Sequence, residues 1–114
     1  MIVVFRHLFY RNYVGLSLWP FIILREAKLR EDAVLINHER IHLRQQAELL
    51  VVFFYILYVG EWLVRTLLYL DPYRAYQNIS FEREAYGFEK DMEYLQNRKP
   101  YAFLDFLTRD GQPA

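Results

Sequence analysis

Apolar and polar positions follow two different periods along this 114-residue chain, first a strand-like and then a helical one. Residues 2–5 (IVVF) are β-branched or aromatic, which predicts a short strand. After a turn around Gly15, the segment Leu16 to Leu24 is predicted to be extended. Within it, Pro20 favours an edge position or a bulge, because proline cannot donate a hydrogen bond to a strand ladder. The charged stretch 25–31 is expected to form a loop.

Helical periodicity begins at Asp32, a good N-cap residue, and predicts a helix that continues to about residue 50. The next stretch, Leu49 to Leu70, carries no charge before Glu61 and Arg65. Its uninterrupted apolar length falls short of the roughly 20 residues that a membrane-spanning helix needs. The two charges would also be costly to insert. We therefore expect a buried core helix here, with membrane insertion as the alternative.

The last third of the chain is also predicted to be helical. Asp71 and Pro72 stop the preceding helix and can start another. Ser80 is the predicted N-cap of a helix from Phe81 to Asn97. Tyr101 to Leu107 is expected to form a short terminal helix or turn.

These elements predict a single α+β domain over residues 1–107, with a small N-terminal antiparallel sheet packed on a helical part. Residues 108–114 contain Gly111 and Pro113 and are expected to form a frayed tail.

Composition narrows the classes of partner. Lys plus Arg and Asp plus Glu both total 14, so no net charge favours binding to nucleic acid. Because the chain has no cysteine, a metal site must use histidine and carboxylate ligands. Aromatic residues make up 18%, and this surplus suggests an apolar patch buried in a homodimer.

The N-terminus does not match a signal peptide. Its apolar run is too short, and the charged or polar residues Arg6, His7 and Arg11 interrupt the stretch after it. We expect a cytoplasmic location, with membrane association as the alternative.

The motif His38-Glu39-Arg40-Ile41-His42 carries the clearest chemistry. Residues four apart lie on one face of a helix, so the two imidazoles can bind one zinc ion. Glu39, about 100° around the helix from His38, can flank the metal and take a proton from its water as general base. The alternative is a plain helix with two solvated or hydrogen-bonded histidines.

A catalytic zinc ion normally has three protein ligands, so the chain must supply a third. His7 is one candidate, and Glu82 and Glu84 at the start of a later helix are better ones. They lie about 200° apart around that helix and cannot both face the metal. The small Ala85 shares the face of Glu82 and allows close approach of two helices, which favours Glu82. Glu84 is interpreted as a solvated acid of the first helical turn.

An H-E-x-x-H helix followed by a helix carrying E-x-x-A resembles the gluzincins, zinc metallopeptidases whose third ligand is glutamate, and especially the small minigluzincins. The resemblance covers Leu16 to about Asn97. It implies a zincin-like fold in which His38, His42 and Glu82 bind Zn²⁺ and Glu39 is the general base.

The resemblance also implies a substrate and a way of binding it. The function expected is hydrolysis of peptide bonds in a peptide or protein, which pairs as an extended strand with the segment Phe21 to Leu24. Many gluzincins have an aspartate after the small residue, where this chain has Tyr86, so the groups that orient the ligands must differ. The alternative function is a non-catalytic zinc-binding interaction domain.

Overall fold

The computed structural model describes residues 1–6 and 13–107, so His7 and the predicted tail 108–114 lie outside the described residues. Its strands are β1 (Ile2–Val4), β2 (Gly15–Leu18) and β3 (Phe21–Leu24). Its α-helices are α1 (Ala33–Glu48), α2 (Leu50–Tyr69), α3 (Pro72–Gln77), α4 (Ser80–Phe88) and α5 (Tyr94–Asn97). Short 3-10 helices cover Ala27–Glu31 and Ala102–Phe106. The prediction of an α+β architecture is confirmed.

The sheet is mixed, so the prediction of an antiparallel sheet is wrong. The strand order is β1-β3-β2, with β1 parallel to β3 and β2 antiparallel to it. The segment from Leu16 to Leu24, predicted as one extended stretch, is a hairpin that turns at Trp19 and Pro20. Pro20 therefore lies in a turn, where its missing N–H costs no ladder bond. The hairpin makes β2 and β3 neighbours, and the parallel pairing of β1 with β3 leaves β3 at the centre of the sheet.

Two of the predicted helix starts are confirmed by side-chain caps. The Asp32 carboxylate accepts a hydrogen bond from the Leu35 N–H at 3.1 Å. Asp71 does the same for the N–H groups of Tyr73 and Arg74, at 3.0 and 3.2 Å. Each cap satisfies backbone donors that have no partner within the helix.

The prediction of one helix from Phe81 to Asn97 is wrong, because the chain leaves the helix after Phe88 and resumes it at Tyr94. The Asn37 side chain on α1 donates to the backbone carbonyls of Glu89 and Asp91, both at 2.9 Å. These bonds anchor the segment after α4 to α1, where the Asp91 carbonyl also accepts from the Tyr94 N–H.

Ser80 is the first residue of α4 rather than its N-cap. Its N–H and its hydroxyl both donate to the Glu61 carboxylate of α2, at 2.7 Å each. A carboxylate from another helix thus takes the place of the predicted cap and adds a favourable charge at the helix N-terminus.

Helix α2 is largely exposed, so the prediction of a buried core helix is wrong. Phe54 and Arg65 are its only buried residues. By length and composition, with a mean hydropathy of 1.6, α2 is the one helix of the described residues that could cross a membrane. The core consists of two clusters, to which α2 contributes Phe54; they are made of Phe54, Ile79, Phe81 and Phe103, and of Ile22, Leu24 and Ile36. Helix α1 packs against the sheet and against α4.

A buried ionic network joins α1, α4 and the segment after α5. The Arg98 guanidinium donates to both oxygens of Glu48, at 2.8 and 3.0 Å, and also binds Glu84. Glu84 is fully buried, and Tyr94 donates to its carboxylate at 2.7 Å. Removing the cation would leave Glu84 buried without its counter-charge.

We therefore expect Arg98→Ala to lower the free energy of unfolding by about 3–5 kcal/mol. Lys99→Ala is the matched control, because the neighbouring pair Lys99–Asp105 is exposed, with side chains 72% and 50% accessible. Such a pair contributes about 0–1 kcal/mol. Urea denaturation of both variants measures the difference, and equal midpoints would contradict it.

Candidate metal centre

Three buried side chains on two helices bring their ligand atoms together. His38 and His42 lie one turn apart on α1, and Glu82 projects from α4; each is 4% exposed. Glu82 Oε1 lies 3.1 Å from His38 Nε2 and 3.0 Å from His42 Nε2, and the two Nε2 atoms are 3.2 Å apart. Within the described residues, this is the one group of three potential ligands that could hold a metal ion.

The imidazole of His42 is oriented by Gln45. Its Nδ1 lies 2.8 Å from Gln45 Oε1. The amide orientation of Gln45 is fixed in turn, because its Nε2 donates to the Phe81 carbonyl and to Glu84, at 3.1 and 3.0 Å. Since Oε1 can only accept, Nδ1 of His42 carries the proton.

The imidazole of His38 is oriented by Glu89, a residue just past the end of α4. Its Nδ1 lies 2.8 Å from Glu89 Oε1. Asn37 holds the backbone of Glu89 in place through its bond to that residue's carbonyl. A carboxylate behind a ligating histidine fixes the ring and raises its basicity as a metal ligand.

These partners decide what faces the centre of the cluster. Because each Nδ1 is bonded outward, the Nε2 atoms of His38 and His42 are turned toward each other and toward Glu82, and each is an electron-pair donor when its ring is neutral. Three electron-pair donors then face one point, an arrangement that a cation between them stabilises. In a tetrahedral zinc site, with bonds of about 2.0–2.1 Å, neighbouring ligand atoms are about 3.3 Å apart. The observed separations of 3.0 to 3.2 Å therefore fit zinc.

The second oxygen of Glu82 is bonded away from the cluster. The Tyr58 hydroxyl of α2 donates to Glu82 Oε2 at 2.6 Å. One oxygen is thus held by a phenol while the other points at the histidines, which fixes the carboxylate as a ligand with one free oxygen.

The protein groups alone already favour a positive charge in this cluster. Burial lowers the pKa of His38, but hydrogen bonds with Glu82 and Glu89 outweigh burial and raise it to about 10. Burial opposes charge on His42 too, yet the carboxylate of Glu82 raises its pKa. Burial alone would raise the pKa of Glu82, and the two histidines lower it far below its usual range. A bound proton and a metal ion therefore compete for the same place.

Glu39 lies beside the cluster and close to the sheet. It is 6% exposed. Burial raises the pKa of its carboxyl group above the usual value, although the two histidines partly offset this effect. A Cβ added to Gly15 would lie 3.1 Å from Glu39 Oε2. Gly15 of β2 is therefore the position where the backbone comes close to this carboxylate.

Two surface cavities meet at Glu39. Both are lined by Tyr13, Gly15, Glu39 and Tyr76. The first continues past His38 and has the carboxylates of Asp32 and Glu89 in its wall. The second continues past His42 between β2 and α2 and is largely aromatic, with Phe54, Tyr55, Tyr58 and Trp62 in its wall.

The strand beside these cavities is β2, so the expectation that Phe21–Leu24 pairs with a substrate is wrong. That segment is β3, which already has a neighbour on both sides. Part of the β2 edge is also occupied. The Ser17 carbonyl accepts hydrogen bonds from Gln46 Nε2 at 3.0 Å and from the Tyr55 hydroxyl at 2.7 Å.

The other candidate residues have different partners. Glu84 faces Arg98, Tyr94 and Gln45 instead of the histidines, and its interpretation as a solvated acid is wrong because it is fully buried. Tyr86 packs its ring on that of His38, with centroids 4.5 Å apart, and its hydroxyl lies 3.2 Å from the hydroxyl of Tyr76.

Comparisons with protein-family models, curated proteins and solved structures find no match to this chain. The resemblance to gluzincins therefore depends on the motif residues and their arrangement.

We expect Glu89→Ala to weaken Zn²⁺ binding by about 10- to 100-fold, because His38 loses the group that orients and polarises it. Competition with a chromophoric chelator measures the dissociation constant. The control is Glu93→Ala, which removes an exposed carboxylate four residues further along. Equal affinities for the two variants would show that Glu89 does not support the metal.

Proposed function

We propose that this protein is a zinc-dependent metallopeptidase that hydrolyses peptide bonds. His38, His42 and Glu82 hold the metal, and Glu39 is the general base. The observation that carries the proposal is the convergence of three buried ligand atoms, each with its remaining polar atom already bonded elsewhere. The carboxylate of Glu39, which is not part of this group, lies beside it.

A bound zinc ion supplies a Lewis acid, which activates a water molecule and polarises the scissile carbonyl. Glu39 takes the proton of the attacking water and passes it to the leaving amine. Its position suits both transfers, since it lines both cavities and so borders both sides of a bound peptide.

The substrate approaches along β2 rather than β3. An extended peptide gains main-chain hydrogen bonds when it adds to a free strand edge. Because Gln46 and Tyr55 already occupy the Ser17 carbonyl, pairing takes place at Gly15, which lies next to Glu39. The small residue at this point leaves room for the peptide backbone.

The metal ligands are tested one by one with His38→Ala, His42→Ala and Glu82→Ala. Each variant should lose stoichiometric zinc, because two remaining ligands do not hold the ion. Elemental analysis after gel filtration measures the zinc content, with Glu93→Ala as a control that keeps it. Unchanged zinc content in all three variants would rule out this site.

The general base is tested with Glu39→Gln. We expect the zinc-loaded variant to keep its metal and its circular dichroism spectrum but to cleave about 10²–10⁴-fold more slowly. Both forms are assayed on an unfolded protein and a peptide library. Equal rates would exclude Glu39 as the base. Zinc binding by the wild type without cleavage of any substrate would favour the alternative, a zinc-binding interaction domain.

A further inference from the structure

Half of helix α2 faces outward and is apolar along its whole length. Only 11% of its most hydrophobic window is buried. The outward half, named here the α2 apolar face, includes Phe53, Ile56, Leu57, Leu63, Val64 and Leu67, which are 50% to 76% exposed. Gly60 lies at the middle of the face, with no atom within 4 Å of the place of a Cβ. A helix of 20 residues makes this face about 30 Å long.

The two charged residues of α2 point away from the apolar face. Arg65 donates to Glu61 at 2.9 Å and to the Leu107 carbonyl at 2.8 Å. Glu61 accepts from Ser80 at the start of α4. Both charges are thus satisfied by the body of the protein, and the exposed half has no charged side chain.

We infer that the α2 apolar face embeds in the surface of a lipid bilayer. At 3.6 residues per turn, its exposed apolar positions cover about 180° of the helix, from Val59 on one side to Leu68 on the other. The seam between two paired helices is narrower than the stripe of about 100° by which a surface helix faces a core. A second copy of α2 would therefore leave both sides of the face in water, whereas lipid covers all of it.

The helix lies in the plane of the bilayer surface rather than across it. The opposite half of α2 is bonded to α4, α3 and the segment before residue 108, through Tyr58, Trp62 and Arg65. A spanning orientation would carry this body, which is bonded to the middle of α2, to the depth of the hydrocarbon, at a high cost for its polar groups.

Exposed aromatic residues near both ends of α2 are compatible with this orientation. Trp19 is 50% exposed, and its backbone N–H donates to Gln46 Oε1, two residues before the end of α1. Tyr73, which is 53% exposed, lies just beyond the other end. Both ring types prefer the interface between water and hydrocarbon. This inference is independent of metal binding and of catalysis.

Flotation of the full chain with vesicles tests the inference. We expect the wild type to float with neutral phosphatidylcholine vesicles and to do so equally at low and high salt, because the face is apolar and uncharged. The double variant Ile56→Gln/Leu63→Gln should bind at least about tenfold more weakly. The matched control, Met92→Gln/Leu104→Gln, replaces two residues of similar exposure (49% and 53%) outside the face.

A probe at the centre of the face gives a second readout. Because the chain has no cysteine, Gly60→Cys and Met92→Cys can each be labelled with an environment-sensitive fluorophore. We expect vesicles to shift the emission to the blue at position 60 and to leave it unchanged at position 92. Two results would overturn the inference. One is that the wild type does not bind vesicles and instead forms a dimer, which the substitutions Ile56→Gln/Leu63→Gln dissociate. The other is that the wild type binds only anionic vesicles and that salt abolishes this binding.

Discussion

The contact between α1 and α4 depends on buried polar groups that satisfy one another. His38 and His42 meet Glu82 at one level, and Arg98 meets Glu48 and Glu84 at another. Gln45 joins the two levels, since it accepts from His42 and donates to Glu84. Because these groups are buried, the loss of one partner leaves another polar group unsatisfied at a high cost in free energy. The positions of all these side chains therefore depend on one another. The three candidate metal ligands are therefore preorganised by the interactions that hold the helices together.

Local signals in the sequence are sufficient for the features that depend on a few neighbouring residues. Asp32 and Asp71 act as caps because the cap and the N–H groups it binds lie within one turn. The spacing of His38 and His42 places both on one face, and Ala85 marks the face of Glu82 that approaches α1. Helix geometry alone is enough to favour Glu82 over Glu84 as the residue near the histidines.

The remaining features depend on contacts that no local pattern contains. Glu89 is seven residues after Glu82 and so returns to the same face. Its carboxylate reaches His38 at a point where Asn37 of α1 binds the Glu89 carbonyl, just past the end of α4. The exposure of α2 is not predictable from apolar length, which does not distinguish a buried helix from one with an exposed apolar half. The central position of β3 is equally hidden, because it depends on the parallel pairing of β1 with β3, two segments about 20 residues apart.

Helix α2 connects the candidate catalytic centre with the surface proposed to meet lipid. Its inward side holds Glu82 through Tyr58, and its Val59 and Trp62 line the aromatic cavity beside His42. Val59 also borders the α2 apolar face, so the mouth of that cavity opens next to the face. Under the two proposals together, a peptide in the cavity lies close to the bilayer surface. Its apolar side chains can then pass from lipid into the aromatic cavity without full exposure to water, which lowers the cost of presenting an apolar segment to Glu39.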